Sequence, residues 1–148
     1  MTKKIEEIIR VNQAGELGAI QIYKGQLAVL KKKPISRELH EMLEKEYNHY
    51  KTFNKLIIDY KVRPTALRPI WKVGAYGIGV VTAMMRKKAT MACTEAVEEV
   101  IINHYEKQTE YLKDRDKKLS KITKKFCLEE KEHLDLAKKH DTGSGLFH

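Results

Sequence analysis

Three prolines and eight glycines in 148 residues leave little punctuation, which argues against a chain of short strands and turns and for long helices. Cysteine is scarce as well: Cys93 and Cys127 both fall inside helical patterns, with no CxxC pair, which excludes a disulfide framework and a cysteine-ligated metal site. Two buried, reduced thiols are expected instead. No apolar run is long enough to cross a bilayer. The best, residues 70–85, holds sixteen residues including Lys72, against the roughly 20 a spanning helix needs. The start of the chain, Met1-Thr-Lys-Lys-Ile, has neither the apolar core of a secretory signal nor an Arg- and Ser-rich transit segment, which predicts a bacterial cytoplasmic or mature organellar protein. There is no helix-turn-helix, zinc-finger, aromatic RNA-binding or dinucleotide-binding signature. The net charge of +9 is therefore read as an affinity for an anionic membrane surface, not for nucleic acid. A solvated, lysine-rich exterior is the plainer alternative.

Apolar residues make up 42% and charged residues 33%, and the length suits a single domain over residues 1–148. Ile5, Ile8, Ile9, Asn12, Glu16, Ile20, Tyr23 and Leu27 keep a helical period and predict a first helix over residues 3–32. Gly15, Gly18 and Gly25 inside it would each cost about 1 kcal/mol relative to Ala, so they signal close approach of another helix or a ligand. Ser36 is placed to N-cap a second helix over residues 36–61, and Pro64 and Pro69 mark a break. A crossover segment, residues 62–86, carries the apolar stretch; Arg63, Arg68 and Lys72 flank one end and Arg86, Lys87 and Lys88 the other. With Trp71 and Tyr76 as boundary aromatics it reads as a membrane-facing helix lying in one leaflet. A core helix buried inside a bundle is the competing reading. Helices over residues 90–114 and 117–140 follow, then a turn and frayed tail over residues 141–148.

Against this helical background two Glu-x-x-His pairs stand out, Glu46 with His49 and Glu130 with His133. A lone Glu precedes each pair on a separate helix: Glu16, 33 residues before His49, and Glu98, 35 before His133. One Glu from each of two helices and one Glu-x-x-His from each of two others is the ligand inventory of a carboxylate-bridged di-iron centre in a four-helix bundle. The lone-Glu helices repeat each other: Tyr23 and Tyr105 lie seven residues on, Gln26 and Gln108 ten, Leu30 and Leu112 fourteen, all returning to one face. The expected fold is all-α, a ferritin-like four-helix bundle with an extra apolar helix. Hard carboxylate oxygens hold two iron ions together, one imidazole per iron sets the potential, and four carboxylates balance a diferrous pair. Glu46 and Glu130 can bridge both metals, while Glu16 and Glu98 each terminate one.

Each assignment has a bland counterpart. Glu99 neighbours Glu98, but helical phase against Tyr105 and the repeat with Glu16 favour Glu98; Glu129 and Glu132 read as surface charge, and only Glu130 stands three residues before His133. His40 and His140 lack such a Glu and read as surface residues. Tyr23, His104 and Tyr105 are candidates to orient a ligand or pass an electron and proton, with ordinary core packing as the alternative for the tyrosines.

The run Arg10-Val-Asn-Gln-Ala-Gly-Glu16-Leu-Gly-Ala-Ile-Gln-Ile-Tyr23 resembles the demethoxyubiquinone hydroxylases of ubiquinone biosynthesis, members of the ferritin-like di-iron carboxylate superfamily. So do Glu46-Tyr-Asn-His49, Val62-Arg-Pro-Thr65, Met91-Ala-Cys-Thr-Glu-Ala-Val-Glu98 and Glu130-Lys-Glu-His133. The resemblance covers residues 8 to 141. It implies two iron ions on Glu16, Glu46, His49, Glu98, Glu130 and His133. It also implies a peripheral membrane enzyme, in bacteria on the cytoplasmic side of the cell membrane. Such an enzyme uses O2 to hydroxylate the ring of a polyprenyl methoxy-benzoquinol. Reduced nicotinamide is a possible electron source and other ubiquinone-biosynthesis proteins are possible partners. Gln13 departs from the family, which usually has His before Ala-Gly-Glu, and the family usually continues into a further apolar helix after the last ligand pair. A ferritin-type iron-oxidising or storage protein and a non-catalytic quinone-binding component are the rival readings.

Overall fold

The computed structural model describes residues 2–146, with the side chains of all of these except 136, 137 and 140–146. The protein is all-α, as expected, with five helices and no strand among the described residues: α1 Lys3–Leu30, α2 Ser36–Asp59, α3 Arg68–Met84, α4 Lys87–Leu112 and α5 Lys117–Leu146. They form two compact units, Met1–Lys87 and Lys88–His148.

In the first unit, Thr2 caps α1: its Oγ1 accepts the Ile5 N–H at 3.2 Å, satisfying one of the orphan donors of the first turn. Every residue of α1 from Glu16 to Tyr23 is buried, so this helix has no solvent face along its middle. Ser36 is not the cap of α2. It is the first helical residue, and Ile35 takes the cap position without a side-chain bond, its buried side chain fixing the entry instead. At the other end Lys61 adopts φ 54°, where glycine is usual, and the Val62 N–H bonds the Ile57 carbonyl at 2.9 Å while the Lys61 N–H bonds Ile58 at 3.2 Å. That pair of bonds is a Schellman ending, sealed by buried Val62. Arg10 then donates Nε–H to the Arg63 carbonyl at 2.7 Å, tying the following loop to α1.

Helix α3 buries only Ala75, Gly79 and Ala83, spaced four apart. That stripe meets α1 so closely that a Cβ on Gly79 would strike the Ile22 carbonyl, and one on Gly25 would strike the backbone of Tyr76 and Val80. Close approach at Gly18 and Gly25 is as the sequence led us to expect. Gly15 differs, since a Cβ there would meet nothing within 4 Å. The rest of α3 faces out, with Ile70 73%, Val73 76% and Met84 71% exposed, so it is not a buried core helix. Among the described residues no helix is long and apolar enough to cross a membrane.

In the second unit, α4 turns one stripe inward: Thr90, Met91, Thr94, Glu98, Ile102, Tyr105, Gln108 and Leu112. Asp116 caps α5, its Oδ1 accepting the Leu119 N–H at 2.9 Å. Polar and aromatic pairs join the two helices: Thr109 and Thr123 hydroxyls at 2.7 Å, Ser120 Oγ donating to the Thr109 carbonyl at 3.1 Å, and Tyr105 edge-on to Phe126 with centroids 6.3 Å apart. Over residues 141–146 the expected turn is not what forms, and residues 147 and 148 lie outside the described residues. Helix α5 runs past His140 to Leu146, because two isolated glycines lower helix propensity without the proline that would end it. Cys127 is buried as expected, but Cys93 is only half-buried.

Candidate metal centre

Helical spacing explains how each half of the site assembles. Glu46 and His49, three residues apart on α2, share a face, and that face meets the Glu16 side of α1. His49 Nδ1 lies 3.5 Å from Glu16 Oε1 and 4.0 Å from Glu46 Oε2. In the second unit Glu130 and His133 repeat the arrangement on α5 against Glu98 of α4. His133 Nδ1 lies 3.6 Å from Glu98 Oε1 and 3.6 Å from Glu130 Oε2. All six side chains are buried. Within each triad, one donor atom per residue lies within 4.8 Å of the other two.

Two carboxylates and an imidazole packed this closely away from water form a poor core by themselves. Like-charged carboxylates repel, and the burial penalises their ionised forms. A cation between them reverses both effects. Hard oxygen donors with one nitrogen suit a first-row divalent metal, so this donor set fits the iron that the sequence pattern implies. The buried Glu/His groups can hold metal.

Of the outer candidates, Tyr23 and Tyr105 are both fully buried, on α1 and α4. His104 is a correction: it is exposed. Seven residues from Glu98 return Tyr105 to the ligand face, but six leave His104 about 120° away around the helix. His40 is exposed, as expected, and His140 lies outside the described side chains.

Three features escaped the sequence reading. Gln13 Nε2 donates to Asn54 Oδ1 at 2.7 Å, joining α1 to α2 beside the first triad. Thr90 and Thr94 are fully buried two turns and one turn ahead of Glu98, with Thr94 Oγ1 donating to the Thr90 carbonyl at 3.1 Å. The four-residue period back from Glu98 was the available signal for these. Finally, the Trp71 indole N–H donates to the Ala14 carbonyl at 2.7 Å, which no sequence period announces.

The profile of the family described as ubiquinone biosynthesis protein COQ7 matches residues 3–148. The chain belongs to this family. Among its relatives, the NADPH-dependent 3-demethoxyubiquinone 3-hydroxylase, mitochondrial, of Dictyostelium discoideum is 48% identical over 140 residues, covering 93% of this chain and 64% of that protein. The protein of the same name from Homo sapiens is 43% identical over 141 residues, 93% of this chain and 65% of its own length. The 3-demethoxyubiquinol 3-hydroxylase of Rhodospirillum rubrum is 44% identical over 133 residues, 89% of this chain and 63% of its own. The chain thus spans slightly less than two thirds of the length of these relatives. The resemblance carried by the Glu16, Glu46, Glu98 and Glu130 motifs and the family match agree.

Proposed function

We propose that this protein is a di-iron monooxygenase that hydroxylates the ring of demethoxyubiquinol, a polyprenyl methoxy-methyl-benzoquinol, to give demethylubiquinol in ubiquinone biosynthesis. The observation that carries the reading is the pair of buried Glu–Glu–His triads, found in a family whose relatives bear hydroxylase names. In this reading Glu16, Glu46, His49, Glu98, Glu130 and His133 would hold the irons, four carboxylates and two imidazoles in all. Iron held there would supply the activation of O2 and the passage of electrons to it. One oxygen atom enters the ring and the other leaves as water, with two electrons from a reduced nicotinamide, as in the names of several relatives, delivered directly or through the quinol.

The chain's own side chains do the rest. Burial would keep water from the reacting centre, and the buried Tyr23 and Tyr105 are the candidates in this reading to orient ligands or to carry a proton with an electron. A lipid substrate calls for a protein that works at a membrane surface. The exposed apolar residues of α3, with Arg63, Arg68, Lys72, Arg86 and Lys88 exposed at its two ends, fit a helix seated in one leaflet with its cations at the headgroups. In a bacterium that surface is the cytoplasmic side of the cell membrane.

Iron-loaded protein given demethoxyubiquinol, a reductant and 18O-labelled O2 should return product carrying one labelled oxygen in the ring by mass spectrometry. Iron oxidation with no label in the quinol contradicts the reading and favours iron handling of ferritin type. Quinol binding by metal-free protein with no turnover favours a non-catalytic quinone-binding component.

A further inference from the structure

Helix α3 touches the ligand-bearing stretch of α1 through one aromatic ring. The Trp71 indole donates its N–H to the Ala14 carbonyl at 2.7 Å, and a Cβ on Gly18 would sit only 2.8 to 3.0 Å from the ring atoms. Ala14 and Gly18 are one helical turn apart and bracket Glu16, which points to the opposite side of α1 toward His49, 3.5 Å away. The turn carrying Glu16 is therefore held from both sides, by the metal triad on one and by the indole on the other. Trp71 is 46% exposed, so water could have satisfied its N–H. The fold directs it instead to a helix carbonyl that already serves the Gly18 N–H. A second polar link between the same two helices, Gln26 Nε2 to Thr82 Oγ1 at 3.4 Å, lies ten residues further along α1.

We propose that Trp71 is a positioning residue for the first metal triad. Its bond to Ala14 and its seat on Gly18 fix the height and rotation of the Glu16 turn, and so where the carboxylate arrives relative to Glu46 and His49. The proposal rests on the metal reading above. The Gln26–Thr82 link provides an internal control, because it joins the same helices away from the ligands.

The test is titration of the metal-free protein with Co(II), followed by its d–d absorption, alongside thermal midpoints. Wild type, Trp71→Phe, Gly18→Ala and Thr82→Val are compared. Trp71→Phe keeps an aromatic ring but loses the donor, and Gly18→Ala displaces the ring from the other side. Both should bind cobalt about three- to tenfold more weakly with a shifted d–d band, below the 10–100-fold typical of groups bonded directly to a ligand. Thr82→Val should lower the midpoint yet keep the wild-type affinity and spectrum. Wild-type cobalt affinity and spectrum in Trp71→Phe would overturn the proposal. So would a loss of affinity in Thr82→Val that tracks its midpoint as closely as in Trp71→Phe. A wild-type protein that takes up no cobalt would overturn the metal reading itself, a result distinct from either of these.

Discussion

The two triads are near copies in different settings. Imidazole-to-carboxylate separations are 3.5 and 4.0 Å in the first and 3.6 and 3.6 Å in the second. What backs them differs. In the first unit α1 is buried all round through the Glu16–Tyr23 stretch, and α3 presses on it through glycines and Trp71. In the second unit Glu98 is preceded by two buried threonines, and α4 and α5 are joined by hydroxyl pairs, an aromatic edge and a thiol. The Glu–Glu–His arrangement is kept in both units while everything around it changes. Ligand geometry is fixed by chemistry, whereas the backing has only to fill space and satisfy donors.

If the triads are equivalent, damage to either should be equally severe. Glu46→Ala and Glu130→Ala should each lose most bound iron by elemental analysis. Each should lose hydroxylation by more than about 100-fold, beyond the loss seen when only an outer partner of a ligand is removed. Circular dichroism should stay helical in both. Wild-type iron in either variant would remove that residue from the ligand set and break the equivalence.

The backing should separate where the ligands do not. Gly25→Ala drives a methyl into the backbone of α3 and should destabilise the protein by about 3 kcal/mol, the upper end for overpacking. Gly15→Ala, three turns earlier on the same helix but facing open space, should stabilise it by about 0.5–1 kcal/mol through helix propensity. Urea midpoints for the two variants should move in opposite directions. A Gly25→Ala variant as stable as wild type would mean that α1 and α3 do not approach as described.

That contrast also measures what could be read from the sequence. All three glycines of α1 were expected to mark close approach, and the spacing of the helices was right to within a few residues. Helical period alone does not say which neighbour covers which side, so Gly15 looked like Gly18 and Gly25. The same period should have separated Tyr105 from His104, which shares its neighbourhood in sequence but not its face. The two Glu-x-x-His motifs were legible because a spacing of three puts both side chains on one helix face, and the structure brings each pair to its lone Glu. The Gln13–Asn54 and Trp71–Ala14 bonds join residues 41 and 57 apart in sequence, with no periodic signal to join them. The run of α5 past His140 was missed because the segment from Asp141, with Gly143 and Gly145, has a turn-like composition.

The smallest expected effect lies in the second unit alone. Burial pushes the Cys127 thiol above its ordinary value, with Lys131 opposing. The neutral thiol is therefore favoured in the folded chain. Its contribution to stability is fully present below the unfolded thiol value, near pH 8.5, and is lost as pH rises through the folded one. Cys127→Ala should flatten the decline of the thermal midpoint between about pH 8 and 10. A slope unchanged by the substitution would assign the decline to other groups.

The central claim is the proposal that Glu16, Glu46, His49, Glu98, Glu130 and His133 hold two iron ions. It is tested most directly by anaerobic loading of the protein with 57Fe(II), followed by iron analysis and Mössbauer spectroscopy after oxidation. The account predicts two irons per chain and, once oxidised, a spin-coupled pair with no magnetic splitting at low temperature. One iron per chain, or two irons that behave as isolated ions, would contradict it.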